Sequence, residues 1–283
     1  MASSQAMRSN DFERPVLDLS GDALRAGMRA MVSGAEQHGG IERYVEAVKL
    51  KSLMFRQVLV DKPVADMDLE TFKGLCTFMA TVRRRIGSWL DQDAYSSMQP
   101  ALLLLFTDED SYDNRIARFC EHFPDDKRHR WVRDLAVELL HNAYPERVPL
   151  MNRWVWDAKA NTGVLREIWH GDDVDHMTIR VADRYGTFIM LREELTQFLS
   201  DNGVFRDTLF YVDVLCAQVY AHYICEQGGS YLRADFTAPE DPMRHTRRLL
   251  GLDGVRPGSG RTRLKSIDGE AFVLDDSKML TGH

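Results

Sequence analysis

The sequence predicts a mainly α-helical protein, a bundle-like single domain that carries two small β-hairpins. Over most of the chain, apolar residues recur every three or four positions, which is the period of an amphipathic helix. The period becomes β-like near 177–191 and again near 261–274. Of the 283 residues, 44% are hydrophobic and 28% charged, which excludes a disordered chain, and four cysteines are too few for a disulfide scaffold.

The first half of the chain is predicted to be a series of helices that follows a disordered N-terminus at 1–15. The clearest is 69–90, where eight apolar side chains share one face and Asp68 can cap the start. Pro145 ends another helix near Tyr144, because the residue before a proline disfavours the α region. The apolar run at 100–106 is expected to be buried. The helices predicted here are 22–32, 41–60, 69–90, 113–122 and 125–142.

The second half mixes both periods. Residues 152–169 are ambiguous and expected to be helical in part, and two β-like runs, 177–181 and 187–191, are joined by a turn. Asp268-Gly269 is a strong turn signal for the second hairpin, which would place Leu264 opposite Val273. Helices are predicted at 192–201, 205–226 and 242–250. The whole chain then divides into 1–15, a helical core domain at 16–232 and a basic C-terminal segment at 233–283.

Two features bear on where the protein works. The first residues contain no apolar signal segment, and the most apolar run, 209–225, is too short and too polar to span a bilayer. The sequence therefore predicts a soluble, cytoplasmic protein with no membrane partner.

The cysteines form no CxxC pair, so we expect them to be reduced packing residues. They are Cys76, Cys120, Cys216 and Cys225.

Two clusters could hold a divalent metal. Glu138 and His141 are three residues apart on one face of a predicted helix, and His222 and Glu226 could add two ligands from the 205–226 helix. In the alternative, His141 favours its helix dipole, and Gln218, His222 and Glu226 form structural hydrogen bonds. The second cluster is a candidate metal loop or a solvated acidic loop; its members are His170, Asp172, Asp173, Asp175 and His176.

The basic segment 244–265 is the clearest electrostatic feature. It holds seven Arg and Lys residues against the single acid Asp253, within a chain whose formal charge is −7. Such asymmetry indicates an acidic partner, either nucleic acid or an acidic protein surface, unless the segment folds back on the protein's own acidic face. The candidate partner-binding residues are Arg244, Arg247, Arg248, Arg261, Arg263 and Lys265.

The sequence contains no phosphate-binding loop, nucleophile elbow or zinc-protease motif, so no cofactor is predicted. Whether the protein is an enzyme is undecided, and a binding role is favoured. The first hypothesis is an accessory or regulatory protein that binds a macromolecular partner. The second is a nucleic-acid-associated helical protein, in which Lys127, Arg128, Arg130 and Arg133 could extend the basic segment. The third is a helical metal-dependent enzyme.

Overall fold

The computed structural model describes residues 14–36, 39–87, 89–107, 109–171, 173–228, 243–253, 261–265 and 271–275. Most of the N-terminus that was predicted to be disordered lies outside these ranges. Within them the chain is mainly helical, as predicted. The helices are α1 (Gly21–Glu36), α2 (Glu42–Leu59), α3 (Leu69–Thr77), α4 (Ala80–Ile86), α5 (Gln92–Thr107), α6 (Tyr112–Glu121), α7 (Trp131–Ala143), α8 (Val164–Glu167), α9 (Tyr185–Asp201), α10 (Thr208–Gly228) and α11 (Arg244–Leu249).

The helix predicted at 69–90 is two helices. Asp68 caps α3 as expected, because its Oδ1 accepts a hydrogen bond of 2.7 Å from the backbone N–H of Thr71. The chain then leaves the helical conformation at Phe78 and Met79, and Met79 is extended with φ −110° and ψ 97°. Both side chains remain buried across the break, so the apolar period continues although the helix does not.

The prediction of a hairpin at 177–191 is wrong. Helix α9 begins at Tyr185 and contains the whole second predicted strand, 187–191. Its first turns are buried on several sides, since Thr187, Phe188, Ile189 and Leu191 are all covered. A short run that is buried all round cannot be assigned to a helix or a strand from its period, which explains the error.

Two short strands, β1 (Arg261–Lys265) and β2 (Ala271–Asp275), pair antiparallel. Leu264 lies opposite Phe272, so the predicted partner, Val273, is displaced by one position. The turn at 266–270 and the strand side chains lie outside the described residues. Docking of this hairpin on the body therefore stays a prediction.

One continuous apolar cluster joins the helices. Helices α2 and α4 both pack on α7, and α10 packs on α1, α2, α9 and α11. The apolar run at 100–106 is only partly buried, because Leu103 and Leu104 face outward from α5 while Leu102 and Leu105 lie in the core. The side chains of Cys76 and Cys216 are buried and that of Cys120 is half-buried, whereas Cys225 is exposed and so is not the packing residue that was expected.

The segment at 243–253 belongs to this body. Met243, Leu250 and Leu252 are buried in the same cluster, and α11 packs on α10 and α4. The predicted boundary at 232–233 stays a prediction, since 229–242 lie outside the described residues. In the part of the chain that the structure describes, no helix is both long and apolar enough to cross a membrane.

Candidate functional site

A broad cleft opens where five segments that are distant in sequence meet. The segments are α4, the chain from Lys127 into the first turn of α7, the loop at 153–162, the last turns of α10, and α11. The volume of the cleft is about 860 Å³, which lies in the range of ligand sites. Six cationic side chains line it: Arg84, Arg85, Lys127, Arg130, Arg153 and Arg248.

The cations outnumber the acids of the cleft three to one. Its carboxylates are Asp134 and Asp157, and each already faces an arginine. Arg153 Nη2 lies 3.1 Å from Asp134 Oδ2, and Arg130 Nη2 lies 3.6 Å from Asp157 Oδ2. The cleft is therefore strongly positive although the chain as a whole is acidic.

Three of the cations have no acidic partner among the described residues. Arg84 and Lys127 are exposed, and Arg248 is half-buried on α11. Like charges gathered in one concave space repel one another, and low-dielectric walls strengthen the field that they produce. An anion that enters the cleft would relieve this repulsion.

The carboxylates of Asp134 and Asp157 also hold the backbone of the loop at 153–162 in place. The backbone N–H of Arg153 donates to Asp134 Oδ1 at 3.2 Å, which ties the loop at 153–162 to the first turn of α7. Asp157 Oδ1 accepts a hydrogen bond of 2.9 Å from the backbone N–H of Ala160, and residue 157 bridges to residue 162. These two acids therefore build the wall of the cleft while they neutralise one arginine each.

Aromatic side chains form part of the same wall. Trp154 and Tyr220 both line the cleft, their ring centroids are 5.8 Å apart, and Tyr220 continues the row to Tyr223 at 5.8 Å. Tyr220 is half-buried, and burial, followed by the proximity of Tyr223, raises the pKa of its hydroxyl. This hydroxyl therefore stays neutral at ordinary pH and can act as a hydrogen-bond donor.

Trp154 carries an unused donor. Its side chain is almost fully buried, and among the described residues its indole Nε1 has no hydrogen-bond acceptor. A buried donor without a partner costs about 1–3 kcal/mol, so such groups are rare in folded proteins.

Helix α11 is anchored firmly enough to position Arg248. Thr246 Oγ1 donates to Gln218 Oε1 at 2.7 Å, which links the helix to α10. Beyond the helix, Lys51 Nζ donates to the carbonyl of Leu250 at 3.0 Å, and Arg83 makes two hydrogen bonds to the carboxylate of Asp253. The wall that α11 contributes is thus held at the middle of the helix and just beyond its C-terminal end.

The candidate partner-binding residues separate into different environments. Arg248 lines the cleft, Arg244 is exposed, and Arg247 Nη1 lies 3.5 Å from the hydroxyl of Tyr44, away from the cleft lining. The side chains of the remaining candidates lie outside the described residues, and their role stays a prediction: Arg261, Arg263 and Lys265.

Glu138, a metal-ligand candidate, instead forms a buried ion pair. Lys51 Nζ lies 3.2 Å from Glu138 Oε2, and Asn152 Nδ2 donates to Glu138 Oε1 at 3.0 Å. Burial raises the pKa of Glu138, and the charge of Lys51 opposes that shift. The carboxylate thus has a cation and an amide as neighbours.

His141 lies on the same face of α7 but contacts different groups. Its Nε2 is 3.1 Å from Asp213 Oδ2, and its Nδ1 is 2.9 Å from the carbonyl oxygen of Val148. Burial lowers the pKa of His141, but Asp213 and the Val148 carbonyl outweigh it, so the pKa is raised overall. An imidazolium with two N–H donors satisfies both acceptors.

Among the described side chains, the other metal candidates do not join these two. His222 is exposed on α10, and the side chain of Glu226 lies outside the described residues. His176 Nδ1 lies 2.6 Å from Asp173 Oδ1 and His170 Nδ1 lies 3.7 Å from Asp18 Oδ2, all on the surface. In the part of the chain that the structure describes, no group of three or more metal-ligating side chains comes together.

Sequence reasoning found only part of the cleft. It named Arg248, Lys127 and Arg130, but it did not single out Arg84, Arg85, Arg153 or the aromatic row. Of the other basic residues it named, Arg133 donates to the carbonyls of Met151 and Asp183, which is a structural role. No local pattern links positions 84, 127, 153 and 248, because folding alone brings them together.

No model of a known protein family matches this chain, and neither a curated protein nor a solved structure matches it. Function is therefore inferred from the geometry of the cleft.

Proposed function

We propose that this protein binds nucleic acid, a macromolecular polyanion, in the basic cleft. In this proposal it has an accessory or regulatory role. The observation that carries the proposal is the convergence of six cations from separate segments around two carboxylates that are already paired. Phosphate contacts from Arg and Lys supply most of the affinity of nucleic-acid-binding proteins.

Two features favour nucleic acid over an acidic protein surface. Five of the six cations are arginines, whose planar guanidinium groups can make paired hydrogen bonds to a phosphate. In addition, Trp154 and Tyr220 lie beside the cations, and aromatic rings next to basic groups are typical of sites that receive both phosphates and bases.

The state of the two acids supports a binding role. Asp134 and Asp157 are each engaged by an arginine and by a backbone N–H, so their oxygens already have partners. What the cleft offers to a ligand is positive charge and aromatic surface.

The test is a charge-removal variant that carries Arg84→Ala, Lys127→Ala and Arg248→Ala. We expect it to lose most of its affinity for a fluorescein-labelled oligonucleotide of mixed sequence, measured by anisotropy at several salt concentrations. Each lost phosphate contact flattens the plot of log affinity against log salt by about 0.7–0.9, so the slope should fall by roughly 2 to 3.

The matched control removes two arginines and one lysine elsewhere on the surface, Arg43→Ala, Lys62→Ala and Arg206→Ala, all exposed and outside the cleft lining. The control should keep the wild-type slope, and both variants should keep a melting temperature close to that of the wild type, since surface charges without an ion-pair partner contribute little to stability. Equal losses in the two variants, or no oligonucleotide binding by the wild type at low salt, would contradict the proposal.

A further inference from the structure

We infer that the basic cleft takes single-stranded nucleic acid, with at least one base packed against the wall formed by Trp154 and Tyr220. This inference rests on the proposed function and adds the form of the nucleic acid and the part of it that the protein contacts. Three observations carry it: the size of the cleft, the placement of its aromatic rings, and the unpartnered indole N–H.

The size of the cleft excludes a duplex from its interior. A space of about 860 Å³ is the size of a pocket that encloses a small ligand, and even one turn of a duplex occupies a much larger volume. A duplex could touch only the rim. A single strand is thin enough to enter, so that cations on several walls can reach its phosphates.

The aromatic row gives the bases a surface to contact. Trp154, Tyr220 and Tyr223 follow one another at centroid distances of 5.8 Å, and the first two line the cleft together with Ile224. In a duplex the faces of the bases are stacked on one another and cannot reach such a wall, whereas an unpaired base can. The cations line the same cleft, so a bound strand can place its phosphates near them while a base contacts the row.

The indole of Trp154 adds a polar contact. Trp154 lines the cleft, and its buried indole N–H has no acceptor among the described residues. Every base and every phosphate carries acceptor oxygens or nitrogens, so a bound strand can supply the missing partner once a small shift of the indole uncovers the N–H. Together the row and the N–H assign the base-contacting role to this wall.

The experiment compares three labelled probes of equal length on the full chain: oligodeoxythymidylate, the same backbone without bases, and a mixed-sequence duplex. Stacking on aromatic side chains predicts that the thymidylate strand binds roughly tenfold more tightly than the abasic strand. Binding should also quench tryptophan fluorescence with thymidylate more than with the abasic strand. Thymidine monophosphate at equal nucleotide concentration should compete only weakly.

Tyr220→Leu should remove most of the preference for bases over the abasic backbone, and Tyr220→Phe, which keeps the ring, should retain it. If the leucine variant fails to fold, the comparison of probes on the wild type still decides. Equal affinity for thymidylate and abasic strands, tighter binding of the duplex, or full competition by the mononucleotide would overturn the inference. In those cases the proposed function still stands if the charge-removal variant loses affinity for the oligonucleotide. If no probe binds the wild type, both the inference and the proposed function are overturned.

Discussion

Single residues in this protein are defined by what folding places beside them. Lys51 and Glu138 are 87 positions apart in sequence, yet their side chains meet in the core with almost no exposure to water. Two isolated charges there would be strongly destabilising, and each is tolerated because the other neutralises it. Asn152 and the carbonyl of Leu250 complete the hydrogen bonding of the pair. The pair thereby links α2, α7 and the chain that follows α11.

His141 should make stability depend on pH. Its pKa is raised in the folded protein, chiefly by Asp213 acting against the effect of burial, so the folded state binds the proton more tightly than the unfolded state. The stabilisation is fully present below the unfolded pKa of about 6.5 and is lost as pH rises through the raised folded pKa. We therefore expect Asp213→Asn to lower the free energy of unfolding by more at about pH 6 than at about pH 9.

Urea denaturation of the wild type and the variant at both pH values checks this prediction. Asp173→Asn is the matched control, since Asp173 makes the same kind of contact with His176 but on the surface, where such pairs contribute little. A loss of stability for Asp213→Asn that is equal at the two pH values would show that the pair is not charged in the folded protein.

At the scale of elements, the break between α3 and α4 and the docking of the chain after α11 depend on each other. Gly251 has φ +72°, a left-handed conformation that favours glycine, and its backbone lies against the carbonyl of Phe78 at the break. A Cβ at this position would overlap that carbonyl oxygen. The close approach allows Lys51 and Arg83 to reach the chain at 250–253, which in turn holds α11 against the cleft.

Gly251→Ala should therefore both destabilise the protein and weaken binding in the cleft. The overlap between the new methyl group and the backbone of Phe78 cannot be relieved by a change of side-chain rotamer. We therefore expect the unfolding free energy to fall by roughly 2 kcal/mol or more. The affinity for an oligonucleotide should also fall, because Arg248 and His245 lie on the element that is displaced. Urea denaturation and anisotropy titration measure the two effects.

Gly203→Ala is a close control. Gly203 follows α9 with φ +90°, but a Cβ there would meet nothing within 4 Å. This change should cost only the backbone strain, about 1 kcal/mol, and leave binding unchanged. If the two alanine variants behaved alike, contact between Gly251 and Phe78 would not be what holds α11 in place.

At the scale of the whole molecule, one apolar cluster runs through the helices from α1 to α11. Leu75 on α3 and Leu215 on α10 are both buried in it. Each change to alanine should lower the unfolding free energy by roughly 2–5 kcal/mol, because it removes buried methyl groups and leaves a cavity.

Both variants should shift one and the same cooperative urea transition, since the two sites belong to one core. Leu104→Ala, at an exposed position of α5, should change stability by no more than about 0.5 kcal/mol. Separate transitions for the two core variants, or losses as small as that of the control, would mean that the cluster does not act as a unit.

The sequence by itself determined the features that depend on neighbours along the chain. The helical class, the order of most helices, the cap at Asp68 and the charge asymmetry of 244–265 all follow from spacing or composition within a few turns. An apolar period reports which face of a helix will be buried, because burial of that face is what stabilises the helix. It does not report against which partner the face will pack.

Tertiary structure decided the features that depend on those partners. The run at 187–191 lies in a helix that neighbours cover on several sides, so its own period could not assign it, and the 69–90 helix is broken where the chain at 251 packs against it. The cleft is the same kind of feature. Arg84, Lys127 and Arg248 are far apart in sequence and meet only when α4, α7 and α11 pack together. The electrostatic field of the cleft depends on the distances between these charges in space, and the sequence pattern does not contain those distances.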